Sequence, residues 1–131
     1  MGRFSVALAK ADKEFSMYIR RRDADSHTGR ANCCTCGKNE HWSDMDCGHW
    51  VSRSVMVARF NPKNAHAQCR ECNRFKDGEY EKHRTHIIRQ YGWLVMDDLE
   101  SNSKKSDKDF RPSIDWLLSQ MKMYRTLNKK L

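Results

Sequence analysis

"NAHAQCRECNRFK", residues 64–76, decides the fold. At its centre Cys69-x-x-Cys72 forms a close cysteine pair, and a second pair, Cys33-x-x-Cys36, lies upstream with 32 residues between the two. A CxxC turn points both thiolates at one centre, and two such turns make a closed tetrahedral site for zinc. Closed sites are structural, and metal binding contributes folding free energy. A chain of 131 residues buries only a moderate core and gains from such a staple. The expected ligands are therefore Cys33, Cys36, Cys69 and Cys72, holding one Zn²⁺. Cys34-x-Cys36 is a poorer knuckle, and Cys47 has no partner at ligand spacing, so it reads as a small buried residue.

The chain carries 25 Lys+Arg against 17 Asp+Glu, a formal charge of +8 and a pI near 9.3. Four thiolates and one Zn²⁺ bring that charge only to +6, so a polyanionic partner is expected, nucleic acid first. A solvated basic surface is the plainer alternative. "FSVALA" is too short for a secretory apolar region, and "MGRFSV" has Val6 where myristoylation needs Ser or Thr. No apolar run approaches a membrane span, so no membrane partner is expected. An intracellular chain favours metal ligation over disulfides for its six cysteines. The competing class is a small secreted protein with three disulfides.

Periodicity organises the rest as α+β. Residues 7–22 read as an amphipathic helix, with Leu8, Ala11, Phe15, Tyr18 and Ile19 on one face. Residues 33–76 are short-stranded. Asp77-Gly78 makes a turn, and a helix follows to near Gly92. "WLVMDDLE" suits another short helix. Residues 101–112 read as a polar, mobile linker, and a last helix begins at about Ser113 with Ile114, Leu117, Met121 and Tyr124 on one face. One domain over 1–131 is expected, its zinc-stapled core at 31–92. Glu79, His83 and His86 share a helical face, read here as solvated. Trp42, Trp50, Trp93 and Trp116 read as core.

Around the second knuckle lies a denser pattern. Asn64 stands five residues before Cys69, Asn73 directly follows Cys72, and His49 sits upstream in "MDCGHW", residues 45–50. This resembles the HNH nuclease motif. The stretches "KADKEFSMYIRRRDAD", "CTCGK", "HWSDMDCGHWVSR" and "RFNPKNAHAQCRECNRFKDGEY" are similar to the NinG/Rap recombination endonucleases of lambdoid phages. The resemblance covers roughly residues 10–100. It implies a ββα-metal core stapled by zinc, cleavage of branched DNA such as D-loops and Holliday junctions, and action in the cytoplasm of an infected or prophage-bearing bacterium. Symmetric junction cutting would favour a homodimer, although no dimer motif is visible; other recombination proteins are candidate partners.

Phosphodiester hydrolysis needs an activated water, neutralised phosphate charge and help for the leaving oxygen. A neutral imidazole suits the first task, and His49 is the candidate general base. One hard cation, Mg²⁺ or Mn²⁺, suits the others, with Asn73 as a ligand. Asn64 would brace the loop after His49 through side-chain to backbone hydrogen bonds. HNH proteins carry an Asp immediately before the catalytic His; here Gly48 stands there and Asp46 two residues earlier. Positions 46 and 48 share a strand face about 7 Å apart, so Asp46 could reach the cation, with Gly48 leaving space open. His66 is the rival ligand. Arg53, Arg59, Arg70, Arg74 and Lys76 are candidate phosphate contacts.

Overall fold

A computed structural model describes residues 2–131. The N-terminal helix, α1 (Arg3–Arg22), buries Ala7, Ala11, Phe15 and Ile19. These residues recur every four positions, so they form one stripe along the helix. The stripe packs on the C-terminal helix, α5 (Ile114–Lys129), through Leu117, Met121 and Tyr124, and on Phe60 and Ala65. Ser113 is the N-cap of α5, its hydroxyl accepting the Trp116 N–H at 3.0 Å. The Tyr124 hydroxyl donates to the Phe60 carbonyl at 2.9 Å, which gives a buried phenol its partner.

Between these helices the chain forms two small antiparallel pairs. β1 (Arg30–Asn32) pairs with β2 (Asn39–His41), and Cys33 and Cys36 lie in the turn between them. β3 (Asp46–His49) pairs with β4 (Ala65–Gln68) in the register Asp46↔Gln68, Gly48↔His66 and His49↔Ala65. A short helix, α2 (Met56–Arg59), lies in the connection. After Cys69, residues Glu71–Phe75 make a wide π-helical turn, a geometry common at functional sites. Asp77, Gly78 and Glu79 then run consecutively through positive φ. α3 (Tyr80–Tyr91) and α4 (Trp93–Ser103) form a helical pair beyond them, closing a second core of Trp50, Val51, Ala58, Ile87, Met96 and Leu99. A third core of Ala31, Met45 and Ala67 surrounds the cysteines.

Helices with two small sheet pairs make the fold α+β. Among the described residues no helix is long and apolar enough to cross a membrane. Several expectations need correction. The polar segment is shorter than 101–112, because α4 continues to Ser103. Nor is it structureless: Asp109 accepts the Ser106 N–H at 2.7 Å, Phe110 packs edge-on against Trp116, and Pro112 is buried. Trp93 is not core; it is 61% exposed, with the Arg84 guanidinium over its ring. His83 is not on a solvated face; it is 1% exposed and packs against His66.

Candidate functional site

The two knuckles meet. Sulfurs of Cys33, Cys36, Cys69 and Cys72 all lie within 4.8 Å of one another, and Cys36 Sγ is 3.7 Å from Cys69 Sγ. Four sulfurs at about 2.3 Å from a tetrahedral Zn²⁺ stand about 3.8 Å apart, so this set is positioned to hold a metal ion and suits structural zinc. Burial pushes the Cys69 thiol up to about 12 and also raises Cys72. Burial opposes ionisation of Cys33 as well, but the Thr35 hydroxyl and neighbouring backbone N–H groups outweigh it and bring that thiol down to about 6. A cation at the centre would hold all four as thiolates. Cys34 lies outside the cluster, and burial raises its thiol. Cys47 is likewise outside, raised to about 12 by burial against the α1–α5 core.

Beside the cysteine cluster opens a cleft of about 840 Å³. Its walls include His49, Asp46, Asn73, Arg53, Arg70 and Arg74, all singled out by sequence. Asp46, at the start of β3, accepts the Asn73 amide at 3.0 Å and a two-pronged contact from Arg74 at 2.8 and 2.9 Å. Arg70 stands 3.9 Å away. Partial burial would raise the Asp46 carboxyl, but the hydrogen bonds from Arg74 and Asn73 and the charges of Arg74 and Arg70 prevail, so its pKa falls below the ordinary value. Asn73 spends its N–H₂ on Asp46, which leaves its carbonyl oxygen as an acceptor for a cation or a water.

His49 occupies the opposite face of β3 from Gly48, with its ring 5.7 Å from Phe15. Nε2 lies 2.9 Å from the Arg59 carbonyl, an acceptor, so Nε2 carries the proton and Nδ1 keeps the lone pair. Burial lowers the imidazole to about 4, and the nearby Arg53 and Arg59 charges act in the same direction. At neutral pH His49 is therefore an uncharged ring with one available basic nitrogen.

Asn64 is 0% exposed and does not reach the cleft. Its side chain clamps the loop that follows His49: Oδ1 accepts the Val51 N–H at 2.8 Å, and Nδ2 donates to the carbonyls of Val51 at 3.1 Å and Ala58 at 3.4 Å. His66 is not brought to the cleft. It faces α3, with Nδ1 3.0 Å from His83 Nε2 and Nε2 3.3 Å from the Tyr91 hydroxyl. Lys76 lies outside the cleft, exposed and 3.6 Å from Glu71. Gly48 does not leave open space. A Cβ there would meet the Gln68 side chain, with Gln68 Cβ at 2.9 Å.

The opposite wall is α1, which gives Asp12, Ser16 and Arg20 to the cleft. No local pattern in the sequence marks these residues for the site; they line the cleft because of how α1 packs across β3. Five arginines, Arg20, Arg53, Arg59, Arg70 and Arg74, thus surround two aspartates. Such a cleft can take an anion, and its one accessible imidazole can take a proton.

The family described as Bacteriophage Lambda NinG protein matches this chain over residues 5–131. Protein ninG of Escherichia phage lambda is 31% identical over 104 residues, covering 77% of this chain and 47% of that protein. Protein ninG of Salmonella phage P22 is 30% identical over 104 residues, with 77% and 47% covered. The chain thus spans about half the length of the curated relatives it matches. No solved structure matches.

Proposed function

The chain belongs to the NinG family of phage proteins, and from there we propose that it is a divalent-metal-dependent endonuclease of the HNH type, acting on branched DNA such as D-loops and Holliday junctions. The observation that carries the reading is the single cleft gathering His49, Asp46 and Asn73 among five arginines. In this reading Nδ1 of His49 takes the proton of the attacking water. Asp46 and Asn73 would hold a Mg²⁺ or Mn²⁺, which supplies charge neutralisation at the phosphate and the leaving oxygen. Arg20, Arg53 and Arg70 seat the phosphate backbone. Arg74, exposed and resting on Asp46, shields that carboxylate until a phosphate draws it away. Asn64 holds the loop behind His49, and zinc holds the knuckles. The protein works in the host cytoplasm, and branched DNA is its partner.

The Arg74–Asp46 contact also favours a second reading, a zinc-stapled DNA-binding module without catalysis, because Asp46 already has a cationic partner. Incubating the pure protein with linear, nicked and branched DNA, with Mg²⁺, Mn²⁺ or chelator, separates the two. Metal-dependent nicking with preference for branched DNA is the expected result. His49→Ala should slow it by roughly 10²–10⁴-fold with zinc content unchanged. Binding without cutting in any divalent metal would leave the module; equal cutting of all forms would leave a general nuclease.

A further inference from the structure

His49 is held by a chain of contacts that begins on a different element. Asp12 lies on α1, one turn before Ser16, at the rim of the cleft. Its carboxylate receives both prongs of the Arg59 guanidinium, Nε at 2.9 Å on Oδ1 and NH2 on Oδ2. The third arm of the same guanidinium donates to the Arg53 carbonyl at 2.9 Å. The Arg59 side chain is 12% exposed and that of Asp12 is 23%, so the pair is largely shielded from water. Meanwhile the Arg59 carbonyl is the acceptor at 2.9 Å for Nε2 of His49.

We infer that Asp12 is a positioning residue for His49, acting through Arg59: it fixes the guanidinium, hence the Arg59 backbone, hence the nitrogen on which His49 carries its proton. The inference rests on the proposed role of His49. A bidentate carboxylate–guanidinium pair has a defined plane and is stronger than a single ion contact. Arg59 closes the last turn of the four-residue helix α2. So short a helix has little rigidity of its own. Anchoring its side chain to the twenty-residue α1 supplies what the local structure lacks. Without that anchor the carbonyl drifts, and the imidazole is free to place its proton on either nitrogen. Only the tautomer protonated on Nε2 leaves Nδ1 as the basic nitrogen.

The charges around His49 point the same way. Asp12 faces it from α1, Arg53 from the loop after β3, Arg59 from α2, His83 from α3, and Cys47 lies on its own strand. Burial is the main cause that lowers the imidazole, Arg53 and Arg59 add to it, and Asp12 is the acidic group that opposes them. Neutralising Asp12 leaves two arginines unopposed, so His49 should titrate at still lower pH.

The test uses the full chain loaded with zinc, ¹⁵N-labelled at histidine. Two-bond ¹H–¹⁵N correlation spectra read the tautomer and titration of His49 directly, whether or not DNA is cut. The wild type should show the Nε2–H form. Asp12→Asn should mix the tautomers and shift the His49 titration to lower pH, and Asp12→Glu should restore most of the Nε2–H form. Arg59→Lys, which keeps the charge but loses the fork, should mix tautomers too and serves if Asp12→Asn fails to fold. On a cleaved substrate, kcat should fall about 10–10²-fold, as for a misplaced group, with DNA Kd within about twofold. The acid limb of the pH–rate profile should move down with the titration. An Nδ1–H wild type, or an unchanged Nε2–H form in both Asp12→Asn and Arg59→Lys, overturns the inference. So does a loss carried by Kd alone. If the wild type cuts no DNA, the proposed activity fails, and the spectra still decide whether Asp12 positions His49.

Discussion

Asn64→Ala should loosen the loop behind His49, and the size of the effect can be worked from its contacts. The side chain is 0% exposed and makes three hydrogen bonds, one accepted from the Val51 N–H and two donated to the carbonyls of Val51 and Ala58. Alanine removes all three partners and puts no water in their place. A buried N–H left without an acceptor costs about 1–3 kcal/mol. Each carbonyl retains a second lone-pair direction and loses less. The sum is about 2–4 kcal/mol, a large share of the 5–15 kcal/mol typical of a domain, though short of unfolding it. Asn64→Asp sharpens the test. It keeps the acceptor for Val51 but turns a second oxygen toward two carbonyl oxygens in a place without water. It should therefore cost at least as much as alanine. Urea unfolding of the zinc-loaded protein at neutral pH, followed by tryptophan fluorescence, gives the loss. Amide hydrogen exchange at Val51 gives its location, since that proton should lose protection before those of α1. A loss below about 1 kcal/mol in both variants, or a Val51 amide that stays protected, would refute the clamp.

Other outcomes follow from the same structure. Protein purified without added zinc should carry one equivalent, and Cys69→Ser should abolish it and unfold the knuckles; under half an equivalent in a folded chain would dismiss the staple. Gly48→Ala should destabilise by about 1–3 kcal/mol, since the new methyl meets Gln68, whose amide is held by Thr35 at 3.1 Å and the Gly78 carbonyl at 2.8 Å. Gly48→Asp should fare worse, and a neutral result for either would show that Gln68 yields freely. Stability should fall as the solution is acidified. Burial lowers His66 to about 2 and His83 to about 3, while unfolded histidine titrates near 6.5. Above that pH neither state binds these protons; below it only the unfolded chain does, so both histidines take stability away as the pH falls through 6 and 5. Denaturation midpoints at pH 7, 6 and 5 with zinc content followed in parallel would show this; a flat profile with zinc retained would refute it.

What the sequence disclosed, and what it withheld, divides along chain distance. The CxxC pairs are legible because a three-residue turn sets the direction of both thiolates, and the buried stripe of α1 is legible because one period governs it. Asp12 is withheld by the same period: the pattern says that it lies off the core, and says nothing of what faces it. His83 looks solvated from its helical neighbours because its partner, His66, is seventeen positions away on a strand. Gln68 over Gly48 required the β3–β4 register, which no local pattern supplies. Asp46 and Asn73 stand between these cases. They are twenty-seven positions apart, yet Asn73 follows Cys72 directly, and the turn that carries it is bound to Cys69, whose sulfur accepts the Cys72 N–H at 3.5 Å. The Asn73 N–H itself donates to the Cys69 carbonyl at 3.0 Å. The cysteine cluster thus sets where Asn73 can be, and through it the amide that meets Asp46. A metal held by these four cysteines would therefore also set the geometry of the cleft beside them, and stripping it with a chelator should cost the Asn73 amide its hydrogen-exchange protection before the amides of α1 and α5 lose theirs.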